Sequence, residues 1–149
     1  MNIEDLTLNV EQQIEVKGPI EDVFKSVVNR LSKGFARPDG ELLHMNLEEW
    51  AGGRWYRDLG EGIQYLWGHV QVIKAPTLLE LSGPMFMSYP AINHLELKLD
   101  EADGGTKVAL RHRAVGLIDP QHREGISTGW NGFLESVKGD FSKASSSPA

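Results

Sequence analysis

The chain has 149 residues, of which 40% are hydrophobic, 24% are charged and none is cysteine. A single core usually takes roughly 100–200 residues, so we expect one domain over residues 1–149. Without cysteine the chain has no disulfide, thiolate metal site or thiol nucleophile. The formal net charge of -6 argues against binding to nucleic acid, which usually needs a basic surface.

The sequence also lacks two targeting signals. No basic segment followed by an apolar run opens the chain, and no apolar stretch approaches the ~20 residues that cross a bilayer. The five histidines show no short metal-ligand spacing. We therefore expect a cytoplasmic protein without a membrane span, a metal or a cofactor.

The first two elements follow from hydrophobic periodicity. Apolar residues at alternate positions from Leu6 to Val16 predict a strand with one buried face. Gly18 and Pro19 then interrupt the strand, and the 3.6-residue spacing of apolar side chains predicts a helix over Ile20–Leu31.

Six further strands are predicted between turn residues, and short turns imply antiparallel neighbours. If the Asp103-Gly104-Gly105 turn between the last two strands is tight, Leu95 lies opposite His112 and Leu97 opposite Leu110. A two-residue slip would preserve both faces but change the partners. The six strand candidates are Glu41–Glu49, Arg54–Leu59, Ile63–Lys74, Leu78–Ser82, Ile92–Leu99 and Thr106–Val115.

Asp119 and Pro120 predict the start of a last helix of about 20 residues, and residues 143–149 are expected to form a flexible tail. Each glycine inside a helix lowers the stability by about 1 kcal/mol relative to alanine, so some feature of the molecule should offset this loss. Three interpretations remain open: close approach to a strand or a second subunit, room for a ligand beside Trp130 and Phe133, or helix flexibility as a gate. The glycines concerned are Gly125, Gly129, Gly132 and Gly139.

The order of these elements resembles the helix-grip fold of the START/SRPBCC superfamily, in the branch named after the C-terminal domain of the activator of Hsp90 ATPase. The resemblance covers roughly residues 6–142 and rests on the order and spacing of several short motifs. They are the stretches 16–24, 52–55, 68–70, 104–108, 110–114 and 129–134. It implies an α+β fold, in which a curved antiparallel sheet of six to seven strands wraps around a long C-terminal helix.

Members of the superfamily are similar in keeping a cavity for an apolar ligand between the sheet and this helix. The leading hypothesis is non-catalytic binding of a small apolar or amphipathic molecule, and the resemblance loosely implies a stress-related role. The candidate cavity residues are His112, Trp130, Phe133, Trp55, Met85 and Leu110.

Two alternatives stay open. The first is a protein-interaction module similar to the co-chaperone domain, with a chaperone-type partner or a homodimer contact. The resemblance favours Gly68 and Val70 facing the helix, which would expose Tyr65, Trp67 and His69 on the outer face. The second is an enzyme similar to polyketide cyclases, in which His112 or Arg111 polarises a carbonyl. A purely structural role for an inward-facing His112 is a further interpretation.

Overall fold

The computed structural model describes residues 2–146. A short 3-10 turn (Ile3–Leu6) precedes seven strands and two helices. The strands are β1 (Thr7–Val16), β2 (Met45–Leu47), β3 (Arg54–Asp58), β4 (Gln64–Lys74), β5 (Leu78–Gly83), β6 (Ala91–Ala102) and β7 (Gly105–Gly116). The helices are α1 (Ile20–Leu31) and α2 (Pro120–Ser146).

The strands form one antiparallel sheet in the order β1-β7-β6-β5-β4-β3-β2. Consecutive strands from β2 to β7 are neighbours, and β1 closes the order by pairing with β7. Leu95 lies opposite His112 and Leu97 opposite Leu110, so the predicted register of this hairpin is confirmed. The α+β helix-grip architecture is confirmed as well.

Both helices pack their apolar side chains onto this sheet. In α1 the buried side chains include Val23, Val27 and Leu31, as the periodicity predicts. The Asp119 carboxylate accepts a hydrogen bond from Gln121 N at 2.8 Å and caps α2, because the first amides of a helix lack partners within it. The helix continues through Ser146, and the rest of the predicted tail, 147–149, lies outside the described residues.

Two strands differ from the sequence prediction. The candidate Glu41–Glu49 is reduced to Met45–Leu47, because His44 adopts a positive φ of 58° that interrupts an extended chain. In β4 the register against β3 shifts after Trp55, which pairs with Gly68, while Tyr56 pairs with Leu66.

The extra residue of this β-bulge is Trp67, and its side chain is 8% exposed. The expectation that Trp67 lies on the outer face is therefore wrong. Tyr65, by contrast, is 50% exposed, and His69 is exposed too. A bulge breaks the two-residue alternation on which the expectation depended.

Over residues 2–146, no helix combines the length and the apolar character that a bilayer-spanning segment needs.

Candidate ligand-binding interior

Six rings between the sheet and α2 contact one another in a closed series, which we call the aromatic circuit. Neighbouring ring centroids lie 5.7 to 6.5 Å apart, mostly edge to face. This spacing is the favourable range for aromatic pairs. In order, the circuit runs Phe35, Trp67, Phe86, His112, Trp130, Phe133 and back to Phe35.

The rings of the circuit come from distant parts of the sequence. β4 contributes Trp67 through its bulge, and β7 contributes His112 through its inward alternation. Helix α2 contributes Trp130 and Phe133, three residues apart on its buried face. The two remaining rings come from the segment after α1 and from the segment between β5 and β6. Packing of α2 against the sheet therefore creates the circuit.

A chain of hydrogen bonds crosses this apolar interior. Trp130 Nε1 donates to His112 Nδ1 at 2.9 Å, and an indole nitrogen can only donate. His112 Nδ1 is therefore the acceptor, and the proton of the neutral ring lies on Nε2. That atom is 2.6 Å from Asn93 Oδ1, to which it donates.

The same chain ends on the segment that follows β5. Asn93 Nδ2 donates to the carbonyl oxygens of Gly83 at 3.2 Å and Pro84 at 3.1 Å, and it lies 3.4 Å from Met87 Sδ. Asn93 is 1% exposed and His112 is 0% exposed. Every polar side-chain atom of these two residues thus has a partner, as burial requires.

Burial lowers the pKa of His112 from 6.5 to about 4, because an apolar environment disfavours the imidazolium. The side chain is therefore neutral at pH 7, in agreement with its role as an acceptor for Trp130. A ring whose two nitrogens are both occupied has no free site with which to move a substrate proton. The geometry agrees with the structural interpretation of His112.

All six residues predicted from the sequence are buried. His112, Trp130 and Phe133 belong to the circuit, and Trp55 contacts it at 5.2 Å from Trp67. Met85 also lies beside Trp67, because its amide donates to the Trp67 carbonyl at 2.7 Å. The sixth residue, Leu110, lies opposite Leu97 on the same face of the sheet as His112. Their role in ligand binding stays a prediction.

Sequence reasoning missed Asn93, the partner of His112. A signal was present, because Asn93 shares the inward alternation of Leu95 and Leu97 and is the one polar side chain of the three. Phe35 was also missed, since it lies beyond the end of α1 in a segment without periodicity. The contact between Tyr89 and His122 joins residues 33 positions apart, and no local pattern indicates it.

The glycines of α2 lie away from the circuit. Gly125, Gly129 and Gly132 are exposed, and Gly139 is half-buried. A Cβ added at any of the four would meet no atom within 4 Å. The interpretation of close approach to a strand of the same chain is therefore wrong, and the glycines provide no room beside the buried rings. Contact with a second subunit stays a prediction.

In this conformation each ring of the circuit contacts the next. Two surface depressions of about 540 and 530 Å³ lie elsewhere, beside the first turn of α1 and between α1 and β2. Of the six rings only Phe35 and Phe86 are half-exposed. Entry of a ligand therefore requires these side chains to move. Among residues 2–146, no three His, Asp or Glu side chains are grouped so as to hold a metal ion.

The family model described as Activator of Hsp90 ATPase homolog 1-like protein matches residues 17–139, which run from the end of strand β1 into helix α2. The chain belongs to this family. No curated protein matches the sequence.

Several solved structures share the fold of this family member. An uncharacterized protein from Rhizobium leguminosarum has a TM-score of 0.71 at 17% identity, over 92% of this chain and 95% of that chain. Protein CV1439 from Chromobacterium violaceum has a TM-score of 0.71 at 14% identity, over 89% and 96%. The di-domain ARO/CYC StfQ from the steffimycin biosynthetic pathway has a TM-score of 0.68 at 13% identity, over 97% and 54%. Such low identities show a shared fold alone.

Proposed function

We propose that this chain binds a small apolar or amphipathic molecule between the sheet and α2, without catalysing a reaction. The observation that carries the proposal is the aromatic circuit. It is apolar apart from one chain of hydrogen bonds that runs through His112 and Trp130, and ligand sites are typically apolar with few polar groups. Fold similarity to StfQ, a di-domain ARO/CYC of the steffimycin biosynthetic pathway, adds support for the site and none for a reaction.

The state of His112 favours binding over catalysis. A general acid or base has to reach the proton it moves and needs a pKa near the working pH. His112 Nδ1 accepts from Trp130, its Nε2 donates to Asn93, and its pKa is about 4. This is the arrangement of a structural side chain, so the cyclase-like alternative has no evident acid or base here.

The position of the tryptophans supplies a direct test. Trp50 is 60% exposed, whereas Trp55, Trp67 and Trp130 lie in or beside the circuit. In a Trp50→Phe background, the fluorescence therefore reports only the interior. Native mass spectrometry of freshly purified protein should show a bound small molecule that denaturation releases. Adding the released molecule back to stripped protein should change the tryptophan emission.

The proposal is contradicted if mass spectrometry shows only the mass of the bare chain and, in addition, no compound in a library of apolar molecules changes the tryptophan emission. If the compound also changes the tryptophan emission of denatured protein, it quenches the indole rings directly and the change does not report binding. Unfolded protein is thus the matched control.

An apolar surface on the β3–β4 hairpin favours a second candidate, a protein-interaction role similar to that of a co-chaperone. The exposed side chains are Leu59, Ile63 and Tyr65, each between 42% and 50% exposed, and Ile63 and Tyr65 lie two residues apart in sequence. Exposed apolar groups that lie close together mark interaction surfaces. Binding to purified Hsp90 tests this role. The double variant Ile63→Ser, Tyr65→Ser should bind Hsp90 more weakly than wild type does.

A further inference from the structure

The half-exposed ring of Phe86 lies at the rim of the aromatic circuit and closes it. It makes edge-to-face contacts with Trp67 at 5.8 Å, His112 at 6.5 Å and His122 at 5.7 Å. A ring held by three aromatic partners, with one side open to solvent, occupies the position that an aromatic ligand would take.

The segment that carries Phe86, residues 84–90, is fixed firmly at its base. Asn93 Nδ2 binds the carbonyl oxygens of Gly83 and Pro84, and Met85 N donates to Trp67 O at 2.7 Å. The side chains of Met85 and Met87 are 4% and 3% exposed. These contacts hold the segment near the sheet whether or not the Phe86 ring is in place.

The rim of the segment has a weaker attachment. Within the described part of the chain, its hydrogen bond to α2 is the one between Tyr89 Oη and His122 Nδ1, at 2.8 Å. The same two rings lie 5.5 Å apart, and both side chains are half-buried. Pro90 O also accepts a hydrogen bond from Leu117 N at 2.8 Å, so both ends of the segment are fixed. Breaking the Tyr89–His122 bond therefore loosens the part that lies between them.

The neighbours of Phe86 indicate the chemistry of the ligand. Its three partners are the rings of Trp67, His112 and His122, and each meets Phe86 edge to face. An aromatic ring in the place of Phe86 would restore these contacts, because edge-to-face pairing depends on the charge distribution of an aromatic ring.

We infer that Phe86 is a built-in plug that occupies the ligand position, and that the ligand which displaces it carries an aromatic ring. This inference rests on the proposed function and assigns its ligand class and its closure. The Tyr89–His122 bond holds the plug in place. Binding then competes with closure, so weakening the closed state strengthens binding.

The test uses calorimetric titration of the full chain with naphthalene and with its saturated counterpart decalin. Phe86→Ala should bind naphthalene at least about tenfold more tightly than wild type, because the ligand no longer competes with three ring contacts. Tyr89→Phe keeps its ring and loses one hydrogen bond, so about two- to tenfold tighter binding is expected. Both variants should bind decalin more weakly than naphthalene, because decalin has no aromatic ring to make edge-to-face contacts.

Two surface variants are matched controls: Ile92→Ala removes a side chain that is 73% exposed, and Tyr65→Phe removes an exposed hydroxyl. Both should bind as wild type does. If Phe86→Ala fails to fold, Tyr89→Phe still decides the question of closure.

Equal naphthalene affinity in wild type, Tyr89→Phe and Phe86→Ala overturns the plug and leaves the proposed function standing. Equal binding of decalin and naphthalene overturns the aromatic class. Absence of naphthalene binding in all three proteins overturns the inference. The proposed function then depends on the separate search for a co-purified molecule, and it fails as well only if that search finds a bare chain.

Discussion

His112 shows how one residue can connect three parts of the molecule. Its ring joins β7 to Trp130 of α2 on one side and to Asn93 of β6 on the other. Through Asn93 the connection reaches the segment after β5. In an apolar interior an unsatisfied polar atom is costly, so each member of this chain specifies the position of the next.

Loss of the Trp130 donor should therefore destabilise the fold. Trp130→Phe keeps an aromatic ring but leaves His112 Nδ1 without a partner, and a buried unsatisfied acceptor costs about 1–3 kcal/mol. Urea unfolding should show this decrease in the free energy of unfolding. Trp50→Phe, the same change at a side chain that is 60% exposed, should stay within about 0.5 kcal/mol of wild type. Equal stability of the two variants would contradict the argument.

The lowered pKa of His112 predicts acid sensitivity. The unfolded chain binds a proton near pH 6.5 and the folded chain only near pH 4, so between these values the unfolded state holds more protons. The contribution of neutral His112 to the free energy of unfolding is complete above pH 6.5 and is lost as the pH falls to about 4. From 2.5 pH units at 1.36 kcal/mol each, the loss is about 3 kcal/mol.

Unfolding in urea at several pH values between 7 and 4 measures this loss. His112→Asn should have a flatter dependence than wild type over this range, whereas His69→Asn, at an exposed histidine, should retain the wild-type slope. Parallel curves for wild type and His112→Asn would show that other groups cause the acid sensitivity.

At the scale of elements, α2 contains glycines that its own packing does not require. Its buried face carries Ile126, Trp130 and Val137, while Gly125 and Gly132 are exposed with open space beside them. The sequence predicts that these glycines form a stripe along the helix, but it does not predict whether the stripe faces the sheet or the solvent. The stripe lies about 100° from the apolar stripe, which puts it at the margin between buried and exposed.

Alanine at these positions should stabilise the chain. Gly125→Ala, Gly129→Ala and Gly132→Ala should each raise the free energy of unfolding by about 0.5–1 kcal/mol, because glycine is the worse helix former and the new Cβ meets no neighbour. Thermal or urea unfolding measures the gain. Gly68→Ala is the contrasting control, since its Cβ would lie 2.4 Å from Ser82 O and should destabilise β4. Destabilisation by the α2 variants would reveal a contact with another molecule.

Strands β6 and β7 show where a sequence determines its own register, and β4 shows where it does not. The apolar alternation of β6 and β7 places Leu95 and Leu97 on the buried face, and the tight Asp103-Gly104 turn selects the observed register over a two-residue slip. In β4 the bulge at Trp67 inserts a residue without a turn signal. Its side chain is turned inward by contacts with Trp55 and Phe86, which belong to other elements.

For the whole molecule, patterning was sufficient for the elements and their antiparallel connections, the family resemblance implied the helix-grip architecture, and neither was sufficient for the interior. Alternation and helical periodicity identified α1, α2 and most strands because each of these elements buries one face. The partners of His112 depend on how α2 crosses the sheet, which no local spacing encodes. Inward-facing Trp130 and His112 were expected to frame open space, and in the structure they are bonded to each other.

A single buried core extends through both helices and the sheet, and it should make unfolding cooperative. Val27 of α1, Leu97 of β6 and Val137 of α2 belong to one cluster of buried side chains, and each is 0% exposed. The sheet closes only when β1 pairs with β7, about 100 residues later in the sequence. Elements that share a core and a long-range strand pair lose their contacts together.

Two probes should therefore give one transition in urea. Far-UV circular dichroism follows the helices and the sheet, while tryptophan fluorescence in a Trp50→Phe background follows β3, β4 and α2 through Trp55, Trp67 and Trp130. We expect both signals to have the same midpoint and the same slope m. If fluorescence changed at a lower urea concentration than circular dichroism, the aromatic interior would open before the sheet unfolds. The one-domain prediction requires coincidence, because the residues that hold the interior together are the ones that hold α2 on the sheet.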